Sequence, residues 1–168
     1  MFDTGAGSPK PTVQLTSGGA LTMTRGTITS PFAIALDVSA SSSGTVDSTL
    51  IAGTSIGFNL GGGSVFGLKN VTITTKGIGI QSNASNLTLD GTLVKRLDQP
   101  GTSGPAIEVL GVNTFSSSSN GNHFCNQNSA GPNKFSAAIV KDSATSGAFT
   151  GSFSQAAQVN MGQLDQCP

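Results

Sequence analysis

Ala33-Ile34-Ala35-Leu36, Ser55-Ile56-Gly57-Phe58 and Gly77-Ile78-Gly79-Ile80 are one phrase written three times at a spacing of 22 residues. A fourth copy, Ala106-Ile107-Glu108-Val109, follows after 29 residues, and a looser fifth, Ala138-Ile139-Val140, after 32. Each copy carries a small residue, an aliphatic, a tolerant position and a second large apolar residue. Period-two alternation of this kind predicts a strand with one buried face. A strand that returns at constant spacing, with no helical segment between copies, predicts a β-solenoid. The expected fold is all-β: a three-sided, right-handed parallel β-helix of about five to six coils with roughly 22 residues each.

Outward from these anchors the chain divides into three parts. Residues 1–18 are rich in Gly, Pro, Ser and Thr and read as an irregular lead-in. Residues 19–141 carry the coils, with a loop inserted at 95–105, where two prolines and two glycines interrupt the pattern, and an irregular coil at 115–134. Residues 142–168 read as a C-terminal cap or tail, with Phe149 and Phe153 on a final strand and Ala156 to Leu164 in a short capping helix. Nothing in the lead-in has the periodicity of a capping helix. An uncovered first coil leaves an open apolar end, which invites end-to-end self-association.

The repeated Gly-Ile-x-Ile phrase looks like that of the pectin-lyase-like superfamily of right-handed β-helices. The resemblance spans roughly residues 20–140 and rests on core residues. It implies a polysaccharide lyase, a glycoside hydrolase or a non-catalytic repeat module, and leaves open which one.

Composition narrows the classes. Eight basic and eight acidic residues give a formal net charge of zero. With no basic stripe and no interleaved aromatics, there is no electrostatic case for nucleic acid. No run of about 18 apolar residues occurs, so no membrane-spanning helix is expected. The first residues lack a basic and hydrophobic signal peptide. Either the protein is cytosolic or the chain begins after a signal was removed. The low charge content, 10%, and the abundance of Gly, Ser and Thr favour the second, hence an extracellular or cell-surface setting. Cys125 and Cys167 are expected to form a disulfide, closing a loop of about 42 residues worth on the order of 4 kcal/mol by the chain-entropy model. Two cysteines with His123 fall short of a structural zinc site. No metal or other cofactor is expected.

Residues one period apart stack about 4.8 Å apart, so the sequence can be read as columns. Ile34, Ile56, Ile78 and Ile107 form one expected inward column, and Leu36, Phe58, Ile80 and Val109 a second. Between them an outward column of Ala35, Gly57, Gly79 and Glu108 is nearly bare. Beside it run Asp37, Asn59, Gln81 and Leu110. Asp37, Asn59, Gln81 and Glu108 are therefore the candidate binding residues. They read either as a shallow polar groove for a polysaccharide or as a side-chain ladder that stabilises the stack.

A charged column of Arg25, Asp47 and Lys69 reads as an exterior ion ladder. It is also the candidate catalytic set should the chain be a lyase, where a basic residue acts beside a uronic acid. One carboxylate is too few for calcium. Hydrolysis requires two carboxyls about 5–9.5 Å apart, whereas Asp37 and Glu108 stand three coils apart, roughly 14 Å. The Asn-Thr-Asp, Asp-Asp and Gly-His-Gly motifs of polygalacturonases are absent, and His123 reads as a surface residue. The pairs Thr22/Thr24, Thr27/Thr29 and Thr72/Thr74 suggest an ice-binding face, but they fall at different offsets from the anchors. The resulting expectation is a secreted or surface-exposed module without catalytic activity, structural or weakly glycan-contacting. The alternatives are a polysaccharide lyase or hydrolase and, more remotely, an ice-binding solenoid.

Overall fold

Alternating apolar residues at constant spacing become parallel strands. A computed structural model describes residues 10–111, 114–117, 122–141, 149–150 and 166–167. Among them there is no helix, and the sheets are parallel. The first coil holds β1 (Val13–Leu15) and β2 (Ala20–Thr29), the second β3 (Ile34–Val38) and β4 (Ser43–Gly53). The third holds β5 (Ile56–Gly61), β6 (Val65–Lys69) and β7 (Thr72–Thr75). The fourth holds β8 (Ile78–Asn83), β9 (Asn86–Asp90) and β10 (Leu93–Arg96). These four turns are described without a break. Strands of further coils follow: β11 (Ile107–Leu110), β12 (Thr114–Ser117), β13 (His123–Asn126), β14 (Ile139–Lys141) and β15 (Phe149–Thr150). Thus β1 lies inside the expected lead-in, β13 lies inside the stretch read as an irregular coil, and β12 overlaps its start. The expected capping helix lies outside the described residues.

Each coil presents three faces. The first is the stack β1, β3, β5, β8, β11, β14. The long strands β2 and β4 bend midway and serve two faces: residues 43–47 pair with β6, and residues 50–53 with β7. The second face continues through β9, β12 and β15, the third through β10 and β13. Arg25, Ser48, Asn70 and Gly91 make the corner between them, one per coil, at φ 55°, 48°, 50° and 62°. A left-handed backbone is unfavourable for the three non-glycine residues, and ladder pairing on both sides of the corner holds them there.

The core is a set of stacked columns. The first face contributes Leu36, Phe58, Ile80 and Ile107, the second Val46, Leu68 and Leu89, the third Ile28, Ile51, Ile73, Val94 and Phe124. Phe58 and Phe66 meet at 5.4 Å between ring centroids. Each such side chain contributes about 1.5–3 kcal/mol by burial. The serines have an interior role too. At the corner between the first and second faces, Ser42, Ser64 and Ser85 are buried. There Ser64 Oγ accepts from Ser42 N at 3.1 Å and donates to Gly61 O at 2.7 Å, satisfying backbone groups that water cannot reach.

Two expected columns are corrected. In β3, β5 and β8 the second and third residues of the strand are both buried, while the leading Ile34, Ile56 and Ile78 are only half-buried. Ala35, Gly57 and Gly79 therefore face the core rather than solvent. A Cβ on Gly57 would lie 2.3 Å from Ile73 Cγ2, and one on Gly79 2.3 Å from Val94 Cγ1. The bare column is a small-residue column that lets the third face pack close. The fourth copy also sits two residues away from its expected register. Ile107 pairs with Ile80 and Glu108 with Gln81, while the backbone bonds Gly79 N to Pro105 O and Ile80 N to Ala106 O put Ala106 in the small column. The loop before β11 absorbs the difference in length.

Cys125 and Cys167 are disulfide-bonded, with Cα atoms 5.0 Å apart. Gln166 forms a parallel bridge with Asn126, so the disulfide fastens the end of the chain to the third face.

Candidate functional site

On the first face, Asp37, Asn59, Gln81 and Glu108 form one outward column, because the corrected register brings Glu108 onto the rung after Gln81. They pair with one another in two sets. Asp37 accepts from Gln14 Nε2 at 3.0 Å and from Asn59 Nδ2 at 2.7 Å, and Gln81 Nε2 donates to Glu108 Oε2. Asp37 and Glu108 remain three rungs apart, roughly 14 Å.

The charged column lies on the second face with altered membership. Asp47 is opposite Lys69, and Lys69 opposite Asp90, whereas the residue beside Asp47 in β2 is Thr24. Arg25 drops out because it occupies the left-handed corner. Asp90 was not foreseen as a member. It lies 21 residues after Lys69 rather than 22, since the corner between the first and second faces is one residue shorter there, Ala84-Ser85 against Gly62-Gly63-Ser64.

Parallel to this runs a hydroxyl column: Thr22, Thr45, Gly67, Thr88 and Ser116. Thr88 and Ser116 hydroxyls are 3.1 Å apart. Gly67 interrupts the column. The missing side chain opens a depression of about 360 Å³, lined by Thr24, Thr45, Asp47, Lys69, Thr88 and Asp90 around Gly67 over the buried Val46 and Leu68. Asp47 Oδ1 accepts from Ser48 Oγ at 2.8 Å and from Asn70 Nδ2 at 3.3 Å. These two bonds, with Lys69 beside them, hold the Asp47 carboxyl below the usual carboxylate range. The notch is thus lined by two carboxylates, one ammonium and three threonines on a rigid sheet, with the Thr45 methyl nearest the Gly67 gap.

The threonine pairs divide between faces. Thr22/Thr24 are on the second face. Thr27/Thr29 and Thr72/Thr74 share two columns of the third, separated by Leu50 and Ala52 and followed by Leu93 and Lys95. Their unequal offsets from the anchors come from the differing lengths of the corners.

At the corner below β10, Arg96 is buried to 1% exposure. Its Nη1 donates to Thr75 O at 3.4 Å, and its Nε has no hydrogen-bond partner. Burial lowers the affinity of its guanidinium for a proton, and nearby Asp98 opposes that shift. Asp98 in turn accepts from Asn128 at 2.9 Å and Asn133 at 3.1 Å, bonds that hold its carboxyl low. Alternation in Leu93-Val94-Lys95-Arg96 would have placed Arg96 inward beside Val94. His123 lies on β13, half-buried and with Nε2 enclosed, rather than on a surface loop. Among the described residues no group of three or more His, Cys, Asp or Glu is placed to hold a metal ion, and no helix is long and apolar enough to cross a membrane.

No protein-family model matches the chain, and no curated protein or solved structure is significantly similar to it.

Proposed function

We propose that this chain is a non-catalytic β-solenoid module of an extracellular or cell-surface protein, of the pectin-lyase-like type, that contacts glycans weakly through the Gly67 notch. The observation that carries the reading is the break in the hydroxyl column. It leaves Lys69, Asp47 and Asp90 around one cavity walled by Thr24, Thr45 and Thr88, a few placed polar groups in a concave site of the kind that fixes a sugar's orientation. The Cys125–Cys167 disulfide supports an oxidising setting. The Gly-Ile-x-Ile phrase and the parallel coil support the superfamily.

A second reading has one specific observation behind it. Asp47 and Asp90 stand two rungs apart, about 9.5 Å, at the upper edge of the separation used by inverting glycosidases. Against it, Lys69 occupies the rung between them, where the attacking water would have to stand. A glycan array run beside reducing-end assays tests both readings. The module reading expects binding without release of fragments. Turnover that disappears in Asp47→Asn, Asp90→Asn or Lys69→Ala would replace it with the hydrolase or lyase reading, and a blank array would overturn glycan contact.

A further inference from the structure

The notch also carries information about which glycans it accepts. Three of its lining side chains are charged, two carboxylates and one ammonium, leaving one net negative unit. Arg25, which would have cancelled that unit, is displaced to the corner and is absent from the lining. We infer that the notch selects amino sugars carrying a free ammonium, of the glucosamine type, over sugars carrying a carboxylate. The inference rests on the glycan-contact reading and narrows it.

The side-chain hydrogen bonds from Ser48 and Asn70 both land on Asp47 Oδ1, and neither occupies Oδ2. Lys69 lies between the two carboxylates and can neutralise one of them, which leaves the equivalent of one carboxylate for a ligand cation. A uronic acid would bring a third carboxylate to the same rungs and meet repulsion from two against attraction from one. Thr24, Thr45 and Thr88 are uncharged and wall the notch for either sugar, so they do not discriminate. Discrimination therefore falls to the charged column. The volume is at the low end of the range of about 300–1,000 Å³ for ligand pockets, which suits a short stretch of chain and a weak, salt-sensitive interaction.

The test is titration calorimetry of the full chain at low ionic strength with three oligomers of equal length: glucosamine, N-acetylglucosamine and galacturonic acid. The expected order of affinity is glucosamine first, N-acetylglucosamine second, galacturonate last. Asp90→Asn should weaken glucosamine binding about threefold to fivefold, the scale of one exposed charge contact. Asp90→Lys should move galacturonate ahead of glucosamine. Circular dichroism melts of each variant confirm that the fold is intact. Equal affinity for the three oligomers, or an order unmoved by Asp90→Lys in a folded protein, overturns the charge selection while leaving glycan contact standing. Binding of none of the three overturns the inference together with the reading beneath it.

Discussion

The first and second faces of the solenoid are built from the same backbone and differ in one respect. On the first, successive coils supply outward side chains that complete one another: Gln14 and Asn59 both donate to Asp37, and Gln81 donates to Glu108. On the second, one coil supplies Gly67 where its neighbours supply Thr45 and Thr88. A ladder whose side chains pair with one another spends part of its polar groups internally and has fewer left for a ligand. A ladder with a missing rung leaves a gap flanked by Asp47, Lys69 and Asp90, on a sheet too rigid to collapse into it. In a repeat protein the departure from the repeat is therefore the better guide to a site than the repeat itself.

The comparison can be broken most severely from beneath. Phe58→Asp puts a charge into the column shared by both faces, at a position with no exposure, and should cost more than about 4 kcal/mol. No cooperative melt should remain. Ile56→Asp, at a half-buried position, should lose less and still melt cooperatively. If the two variants behaved alike in circular dichroism, the inward assignment of the first face would be wrong.

Reduction of Cys125–Cys167 comes next. The closed loop spans a sequence separation of 42, and opening it should cost about 2–4 kcal/mol. Because the bond fastens the third face, melts with and without reductant should differ while glycan affinity measured below the lower melting temperature does not.

Asp37→Ala removes the acceptor for two hydrogen bonds on the closed ladder. We expect a loss of about 1 kcal/mol, read by denaturant titration, with glycan affinity unchanged. A drop in affinity would return the binding surface to the first face.

Acid acts in one direction on the second face and on the corner after β10. Asp47 and Asp98 have carboxyls held below the ordinary aspartate value by hydrogen bonds from Ser48 and Asn70, and from Asn128 and Asn133. A depressed carboxyl contributes stability that is present above the unfolded-state value and is lost as pH falls through the folded-state one. Melting temperature should therefore decline below about pH 4, and the decline should be shallower in Asp98→Ala. An equally steep decline in that variant would mean that its hydrogen bonds carry no linkage.

The fold was legible because its decisive residues recur at a fixed distance. Leu36, Phe58 and Ile80 are one column in sequence and in structure, and Cys125 with Cys167 left little choice of partner. What escaped were places where corner length or strand phase changes. Ala35 and Leu36 are consecutive yet both buried, and strict alternation cannot express that. Ile107 resembles the half-buried isoleucines but sits beneath Ile80, since loop length before β11 is free to vary. Arg25 seemed to head the charged column because corner residues count toward spacing without belonging to either strand. Asp90 was hidden by the same effect in the opposite sense. Gly67 carried no signal, because a glycine in a Ser- and Gly-rich chain reads as a turn until its neighbours above and below are known.

Gly67→Thr tests the missing rung directly. A Cβ at this position would meet Thr45 Cγ2 at 3.5 Å, an ordinary contact, and the backbone needs no glycine there. Threonine suits a strand better than glycine does, so the variant should be at least as stable as the parent, with a gain of up to about 1 kcal/mol. It should complete the column from Thr45 to Thr88 and abolish glycan binding. The decisive measurement is calorimetric titration of Gly67→Thr with the best-bound oligomer, made beside its melting curve. Lost binding with an unchanged or raised melting temperature is the predicted result, and binding equal to that of the parent in an equally stable variant would contradict the claim that the broken ladder is the site.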